Sequence, residues 1–266
     1  MQALGNDFMV LDSIRQKVRL TSEIIRQWSD RRLGVGFDQL LLIEAHQTDN
    51  ADFKYRIFNT DGSEVEQCGN GARCVARFIF DSGLSKKKVL KLKTSNGLVT
   101  TKLLRRDWIK ASLAIPEFDV SIIANTALGG IGRNDEPINF SLVSVGNPHA
   151  VILVSDIANA DVTQIGPFLE KNPIFPKGIN VEFMEIVSRD KIKLRVWERG
   201  VGETPACGSG ACAAVVIGQQ QRLLDANVTV QLPGGKLEVE WQGADTPVYL
   251  MGPAIWVYDG LINWIE

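Results

Sequence analysis

A cysteine followed at once by Gly-x-Gly occurs twice in this 266-residue chain, as Cys68-Gly69-Asn70-Gly71-Ala72 and as Cys207-Gly208-Ser209-Gly210-Ala211. Glycines let the backbone turn sharply and bare its N–H groups. The apolar run after each segment reads as a helix, whose first turn carries unpaired N–H donors and the positive end of the dipole. A thiol placed there is expected to ionise more readily than a free cysteine of pKa about 8.5, and the same donors suit a carboxylate ligand. One such element fits a nucleophile; two fit a different chemistry. If they face each other across a cleft, one thiolate removes an α-proton while the opposing thiol returns a proton to the other face. The reverse reaction exchanges the roles, so like residues on both sides are what inversion of a stereocentre needs. N–H donors from both helices would stabilise the planar carbanion through its carboxylate. The two thiols would titrate as one coupled pair, one S⁻ and one SH in the working form.

Behind the two cysteines lies a duplication of the chain. Tyr55-Arg56-Ile57-Phe58-Asn59 aligns with Leu194-Arg195-Val196-Trp197-Glu198 at the same offset as the two Cys-Gly-x-Gly segments. Gly5-Asn6-Asp7-Phe8 matches Gly146-Asn147-Pro148-His149, and Gly36-Phe37-Asp38 matches Gly178-Ile179-Asn180, in the same order and with offsets that drift by only a few residues. Two copies of one domain are expected, joined near the stretch Asn125 to Glu136. Within each copy short apolar or alternating runs predict strands at Phe8–Leu11, Gln39–Ile43, Phe53–Phe58 and Val89–Leu92. Helices are predicted at Ala72–Phe80 and Ala211–Leu224, with a lesser one at Ser22–Arg31. Strands outnumber helices without regular alternation, which predicts an α+β fold. Its expected form is two pseudo-symmetric strand-rich domains, each a curved sheet around a central helix, with the active site in the cleft between them.

The anchors of the repeat supply the remaining polar candidates. Asn6, Asn59, Asn147 and Asn180 can converge on a polar substrate, although asparagine beside glycine is also common in turns. His149 and Glu198 stand where the first copy has Phe8 and Asn59, so they break the symmetry and are candidates for setting which thiol is ionised. Arg199 can bind a second substrate carboxylate, or pair with Glu198 structurally. Cys74 and Cys212 read as small buried hydrophobes, and the absence of Cys-x-x-Cys spacing speaks against a zinc site, so no metal is expected. His46 reads as a loop residue. A formal net charge of −2 provides no field for nucleic acid or an anionic membrane, and the lysines of the 86–93 stretch read as a solvated strand. No apolar run reaches the ~18 residues of a membrane span, and the start lacks a secretory pattern. A cytoplasmic protein with free thiols is expected.

Seven ordered motifs resemble the diaminopimelate epimerase family: Leu4-Gly5-Asn6-Asp7-Phe8, Phe37-Asp38-Gln39-Leu40, Phe58-Asn59-x-Asp61-Gly62-Ser63-Glu64, Cys68-Gly69-Asn70-Gly71-Ala72-Arg73-Cys74, Gly146-Asn147-Pro148-His149, Glu198-Arg199-Gly200-x-Gly202-Glu203-Thr204 and Ala206-Cys207-Gly208-Ser209-Gly210. The resemblance runs through nearly the whole chain, to Tyr258-Asp259-Gly260. It implies interconversion of LL- and meso-diaminopimelate, in bacterial lysine and peptidoglycan precursor synthesis, with no cofactor: neither pyridoxal phosphate nor metal. By the family pattern Cys68 and Cys207 are the acid/base pair, with His149 and Glu198 beside them. The implied substrate contacts are Asn6, Gln39, Asn59, Gly69, Asn70, Asn147, Asn180, Glu198, Arg199, Gly208 and Ser209. The family pattern further implies a homodimer, and a last strand that returns to the first domain. The halves are then expected at residues 1–112 with 253–266, and 113–252. More residues precede the Leu-Gly-Asn segment in the family than here, and Ala3 replaces a glycine, so a shortened first strand is expected.

Other readings stay open at this level. The scaffold can act on proline, hydroxyproline or another amino acid. A Cys–His hydrolase built on Cys207 and His149 would leave Cys68 unexplained. A non-catalytic amino-acid-binding module would not need both thiols.

Overall fold

In the computed structural model the described residues are 1–46, 48, 50–65, 69–105, 107–119, 131–133 and 136–262. The chain divides into two compact units, Met1–Ile109 with Pro253–Glu266, and Lys110–Gly252. Most of the expected junction at 125–136, and Cys68 itself, lie outside the described residues.

The first unit runs β1 (Gln2–Ala3), β2 (Asn6–Asp12), α1 (Ser22–Ser29), β3 (Gln39–Ala45), β4 (Phe53–Asn59), β5 (Glu64–Val65), α2 (Gly69–Asp81), β6 (Val89–Thr94) and β7 (Gly97–Arg105). The strand β8 (Trp108–Ser112) carries the chain past the unit boundary at Ile109. The second unit continues with β9 (Gly132–Arg133), β10 (Glu136–Pro137), β11 (Ser141–Ser144), β12 (Pro148–Leu153), α3 (Val162–Glu170), β13 (Asn180–Ser188), β14 (Lys191–Glu198), β15 (Gly202–Thr204), α4 (Gly208–Gln220), β16 (Asn227–Leu232), β17 (Gly235–Glu240) and β18 (Tyr249–Pro253). The short β1 is paired to β2, and Gln2 bridges Ile255 as well.

Pairing in the two units follows one pattern. In the first, β2 lies parallel to β3, β3 antiparallel to β4, β4 antiparallel to β5 and parallel to β6, and β6 antiparallel to β7. In the second, β12, β13, β14, β15, β16 and β17 repeat those relations strand for strand. The register also corrects the sequence alignment at one anchor. Phe8 sits opposite Gln39 and His149 opposite Asn180, so the counterpart of Asn180 is Gln39, not Asp38. The loop that leads into β3 simply has one more residue after its glycine than the loop into β13.

Each sheet curls around one helix. Helix α2 packs on β1, β2 and β3 and also on β7, at the other end of the strand order, and α4 likewise touches β11, β12, β13, β14 and β17. Only a curved sheet brings its two ends onto one helix. The cause is in the sequence: α4 reads Gly-Ser-Gly-Ala-Cys-Ala-Ala-Val-Val-Ile-Gly, and nearly every residue of it is buried. A helix apolar all round must be covered all round. Cys74 and Cys212 are both fully buried among these core residues. With the outer face of each sheet covered too, central strands are apolar on both sides, as in Leu40–Ile43 of β3. Alternate residues divide between the faces: Leu40 and Leu42 meet Ile25 of α1, while Val181 and Phe183 of β13 meet Val162 and Leu169 of α3.

Helices α2 and α4 begin three residues earlier than the apolar pattern predicts, at the glycine directly after each cysteine position. Helix α3 was not anticipated. Its sequence contains Gly166 and Pro167, which weaken the periodic signal. Packing explains the glycine: a Cβ on Gly166 would stand 2.5 Å from Cγ of Trp197 on β14. Alanine at an open helical site would gain up to about 1 kcal/mol, whereas here it overpacks, which costs typically about 1–3 kcal/mol. Gly166→Ala is therefore expected to lower the urea unfolding midpoint; a midpoint equal to or above wild type would contradict the packing described.

Candidate active site

The second unit builds its site at the start of α4. Cys207 is the N-cap, extended in backbone (φ −118°, ψ 116°), and its Sγ accepts the Gly210 N–H at 3.4 Å. Ser209 Oγ lies 3.5 Å from the same sulfur. Behind the helix start, β12 and β13 contribute a fully buried pair: His149 Nδ1 and Glu182 Oε1 are 2.7 Å apart. His149 Nε2 is 3.0 Å from Asn147 Oδ1, and Asn147 Nδ2 donates to Ser209 Oγ at 3.4 Å. Both ring nitrogens of His149 are thus engaged, neither with the Cys207 sulfur, which removes the geometry a Cys–His nucleophile requires. Glu182 is close enough to α4 that a Cβ on Gly210 would stand 2.8 Å from Oε1.

Glu198 ends β14 beside the same cysteine. It accepts from the Thr204 hydroxyl and lies near enough to the Cys207 side chain for each to act on the other's ionisation. Burial pushes its carboxyl above the ordinary glutamate range, and burial pushes Glu182 up as well. These carboxyls reverse one expectation from the sequence. The Cys207 thiol is held well above its usual value, first by burial and then by Glu198 and Glu182, and the hydrogen bonds from Ser209 and Gly210 do not offset this. A helix N-terminus lowers a thiol's pKa when the sulfur keeps its solvent; here the sulfur is enclosed, and the nearest charges share its sign.

The loop after Glu198 is held by named contacts. Asn180 Nδ2 donates to the Pro148 carbonyl, and Asn180 Oδ1 accepts the Arg199 N–H at 3.0 Å. Glu170 of α3 accepts from Trp197 Nε1 at 2.7 Å and from the Gly200 N–H at 2.7 Å, bracketing Glu198 and Arg199. The guanidinium of Arg199 donates to the Lys177 carbonyl, while Glu198 turns to Thr204, so the two neighbours face different partners.

In the first unit, Asn70 near the start of α2 donates to Asn6 Oδ1 at 3.3 Å, and Asn6 Nδ2 donates to Asp38 at 3.0 Å. Arg31 forks onto Asp7 and also binds Asp38, each at 2.8 Å. Gln39 Nε2 donates to Asn59 Oδ1 at 3.0 Å across the β3–β4 ladder. Each unit therefore gathers its own candidates: Asn6 with Asn70, Gln39 with Asn59, and at the start of α4 Asn147, His149, Glu198, Gly208 and Ser209 near Cys207, while Asn180 and Arg199 are joined to each other at the loop after Glu198.

Two buried residues escaped sequence reasoning. Arg73 is fully buried, donating to Asn70 Oδ1 at 2.9 Å and to the Gly69 carbonyl. It stands where the second copy has Cys212, and that replacement was the available signal. Glu182 lies in an apolar run at the position that Leu41 holds in the first unit, and that replacement was likewise the available signal.

A duplicated curved sheet wrapped on a helix, with Cys207 capping the helix of the second unit, is an architecture this chain shares with solved structures. The fold is shared with a protein described as a predicted epimerase from Pseudomonas aeruginosa (TM-score 0.69, 15% identity, 99% of this chain and 98% of that one). It is shared likewise with a phenazine biosynthesis protein of the PhzF family from Bacillus anthracis (TM-score 0.68, 18% identity, 98% and 95%). A third similar structure is a probable proline racemase from Agrobacterium radiobacter K84, solved with bound carbonate (TM-score 0.67, 18% identity, 95% and 88%). The diaminopimelate epimerase family model matches residues 1–111 and 141–257, and the chain belongs to this family.

Two predictions follow from the charges around Cys207. Peptide-resolved iodoacetamide labelling across pH is expected to give Cys207 a midpoint above that of a free thiol, and Glu198→Gln should move it downward by removing a facing carboxylate. An unchanged midpoint in the variant would contradict the electrostatic account. Stability carries the second signature. Because the folded Glu198 holds its proton more tightly than the unfolded chain does, the native state loses stability as pH rises from about 4.3 through the raised value, and the loss is complete above it. Glu198→Gln should thus resist urea better than wild type at neutral pH and lose that advantage under acid conditions.

Proposed function

We propose that the protein interconverts LL- and meso-diaminopimelate by two-base proton transfer between Cys68 and Cys207. The observation that carries this reading is the duplication: α2 and α4 occupy the same place in identical strand patterns, and each begins at the glycine directly after a cysteine. Membership of the diaminopimelate epimerase family supports it.

In this mechanism one cysteine acts as thiolate and takes the α-proton. The other, as thiol, gives a proton to the opposite face of the carbanion, so S–H and C–H bonds exchange with no net redox change. Cys207, which keeps its proton tightly, is the donor when the site is at rest. The N–H groups of Gly208 and Ser209 at the start of α4 donate to the substrate α-carboxylate, where negative charge grows in the transition state. Arg199 supplies the cation for a distal carboxylate, a group that diaminopimelate has and proline lacks. Asn6, Gln39, Asn59, Gly69, Asn70, Asn147 and Asn180 supply neutral polar contacts. A homodimer in the cytoplasm, with neither nucleic acid nor membrane as partner, completes the reading. No helix among the described residues is long and apolar enough to cross a membrane.

The related reading, a racemase acting on proline or hydroxyproline, draws on the probable proline racemase of similar fold. Proton NMR in D₂O decides between them. With LL-diaminopimelate and no added cofactor, deuterium is expected at one α-carbon as the meso isomer accumulates, and proline should remain protonated. Cys68→Ser and Cys207→Ser should each lower the rate by at least about 10²-fold, the usual worth of a positioned acid or base. Exchange into proline but not diaminopimelate would replace the substrate, and unimpaired exchange in either variant would overturn the two-thiol mechanism.

A further inference from the structure

The buried His149–Glu182 pair poses a question that the proposed reaction does not answer. Both side chains are wholly enclosed, on the inner faces of the parallel strands β12 and β13. The same two positions of the β2–β3 ladder hold Phe8 and Leu41, both buried. An apolar pair therefore satisfies the fold, and an ionisable pair in its place brings a desolvation cost that well-packed hydrophobic residues avoid. One carboxyl oxygen, Glu182 Oε2, is buried with no hydrogen-bond partner among the described residues, so the pair is not arranged for stability.

The hydrogen-bond pattern points to one placement of the protons. Asn147 Nδ2 donates to Ser209 Oγ, which turns Asn147 Oδ1 toward His149. Nε2 of His149 must then carry a hydrogen to donate. The 2.7 Å contact between Nδ1 and Glu182 Oε1 needs one further proton, on the ring or on the carboxyl. Either placement leaves the pair neutral overall, as its burial favours. From Glu182 the contacts run through His149, Asn147 and Ser209 to the Cys207 sulfur. The titratable groups around this chain are Glu198 from β14 and Cys207 from α4.

We propose that Glu182 is a positioning residue, one that fixes His149 as an Nε2–H donor, shares a single proton with Nδ1, and so orients Asn147 and Ser209 toward Cys207. Gly210 is part of the device, since any Cβ there would displace the carboxyl that approaches α4. The role in catalysis rests on the two-thiol reading above; the protonation of the pair does not. A hydrophobic residue at 182 would leave Nδ1 unpartnered and free the ring to hold its hydrogen on either nitrogen. Asn147 could then reverse its amide and draw the Ser209 hydroxyl away from the sulfur.

The test uses the whole protein labelled with ¹⁵N-histidine, in which His46 serves as the second, reference resonance. Near neutral pH, His149 is expected to be protonated on Nε2 in wild type. Glu182→Gln should keep that tautomer, because its amide can donate to Nδ1, and Glu182→Leu should lose it. Solvent-deuterium exchange should fall by about threefold to tenfold in Glu182→Leu through kcat rather than KM, the rate equivalent of one net hydrogen bond, with partial rescue in Glu182→Gln. Wild-type His149 bearing hydrogen only on Nδ1 would overturn the proposal, as would a Glu182→Leu spectrum matching wild type. The wild-type spectrum decides even if Glu182→Leu does not fold, and the double variant His149→Phe with Glu182→Leu, which restores the pair found in the first unit, should fold but exchange slowly. The expected tautomer in a protein that exchanges no diaminopimelate would sink the epimerase reading while leaving the assignment of the pair intact.

Discussion

The apolar helix α4 needs a partner on every side, and its own sheet supplies it. That requirement drives the curl of the second unit and sets the depth at which the helix starts. Because the helix begins inside the curl, its first residues are enclosed with it, and Cys207 is buried although it ends a loop. The covering strands β12, β13 and β14 present alternate residues inward. His149, Glu182 and Glu198 therefore arrive at the helix start by the same packing that hides the core. Chemistry and core share one wall.

Two opposing fields meet at the sulfur. The first turn of α4 directs N–H groups at it, which favours negative charge. Enclosure and two neighbouring carboxyls oppose that charge, and they win. In the proposed reaction this makes Cys207 a thiol that holds its proton at rest. Glu198 and Glu182 are themselves held toward their protonated forms by burial, so their like-charge opposition to the thiolate grows as they lose those protons.

The duplication holds geometry constant while letting chemistry differ. Strand order, direction and helix placement repeat between the units, so equivalent positions are directly comparable. One unit fills two inner positions with Phe8 and Leu41, the other with His149 and Glu182. Conversely, a fully buried arginine lies in α2 where α4 has a cysteine. Exchanges of this kind cost stability locally and leave the lattice of the sheet untouched, because burial is set by the pleat and not by the side chain that occupies it.

The sequence by itself determined much of this protein. Collinear anchors exposed the two copies, turn residues and alternation marked β2, β3, β4 and β6, and the apolar runs after Cys68 and Cys207 marked α2 and α4, all from local pattern. The candidates Asn6, Asn59, Asn147, His149, Asn180 and Glu198 were visible as polar residues at repeat anchors. Tertiary structure alone decided the rest. Helix α3 carries Gly166 where a tryptophan distant in sequence needs the space. The ladder moved the counterpart of Asn180 to Gln39 because hydrogen-bond register, not residue identity, sets equivalence. The ionisation of Cys207 ran against its helix-cap position, since desolvation and carboxyls brought in by β13 and β14 act through space. Glu182 remained unseen for the same reason: within Val181-Glu182-Phe183 it looks like a surface alternation, and only folding places a histidine 33 positions away against it.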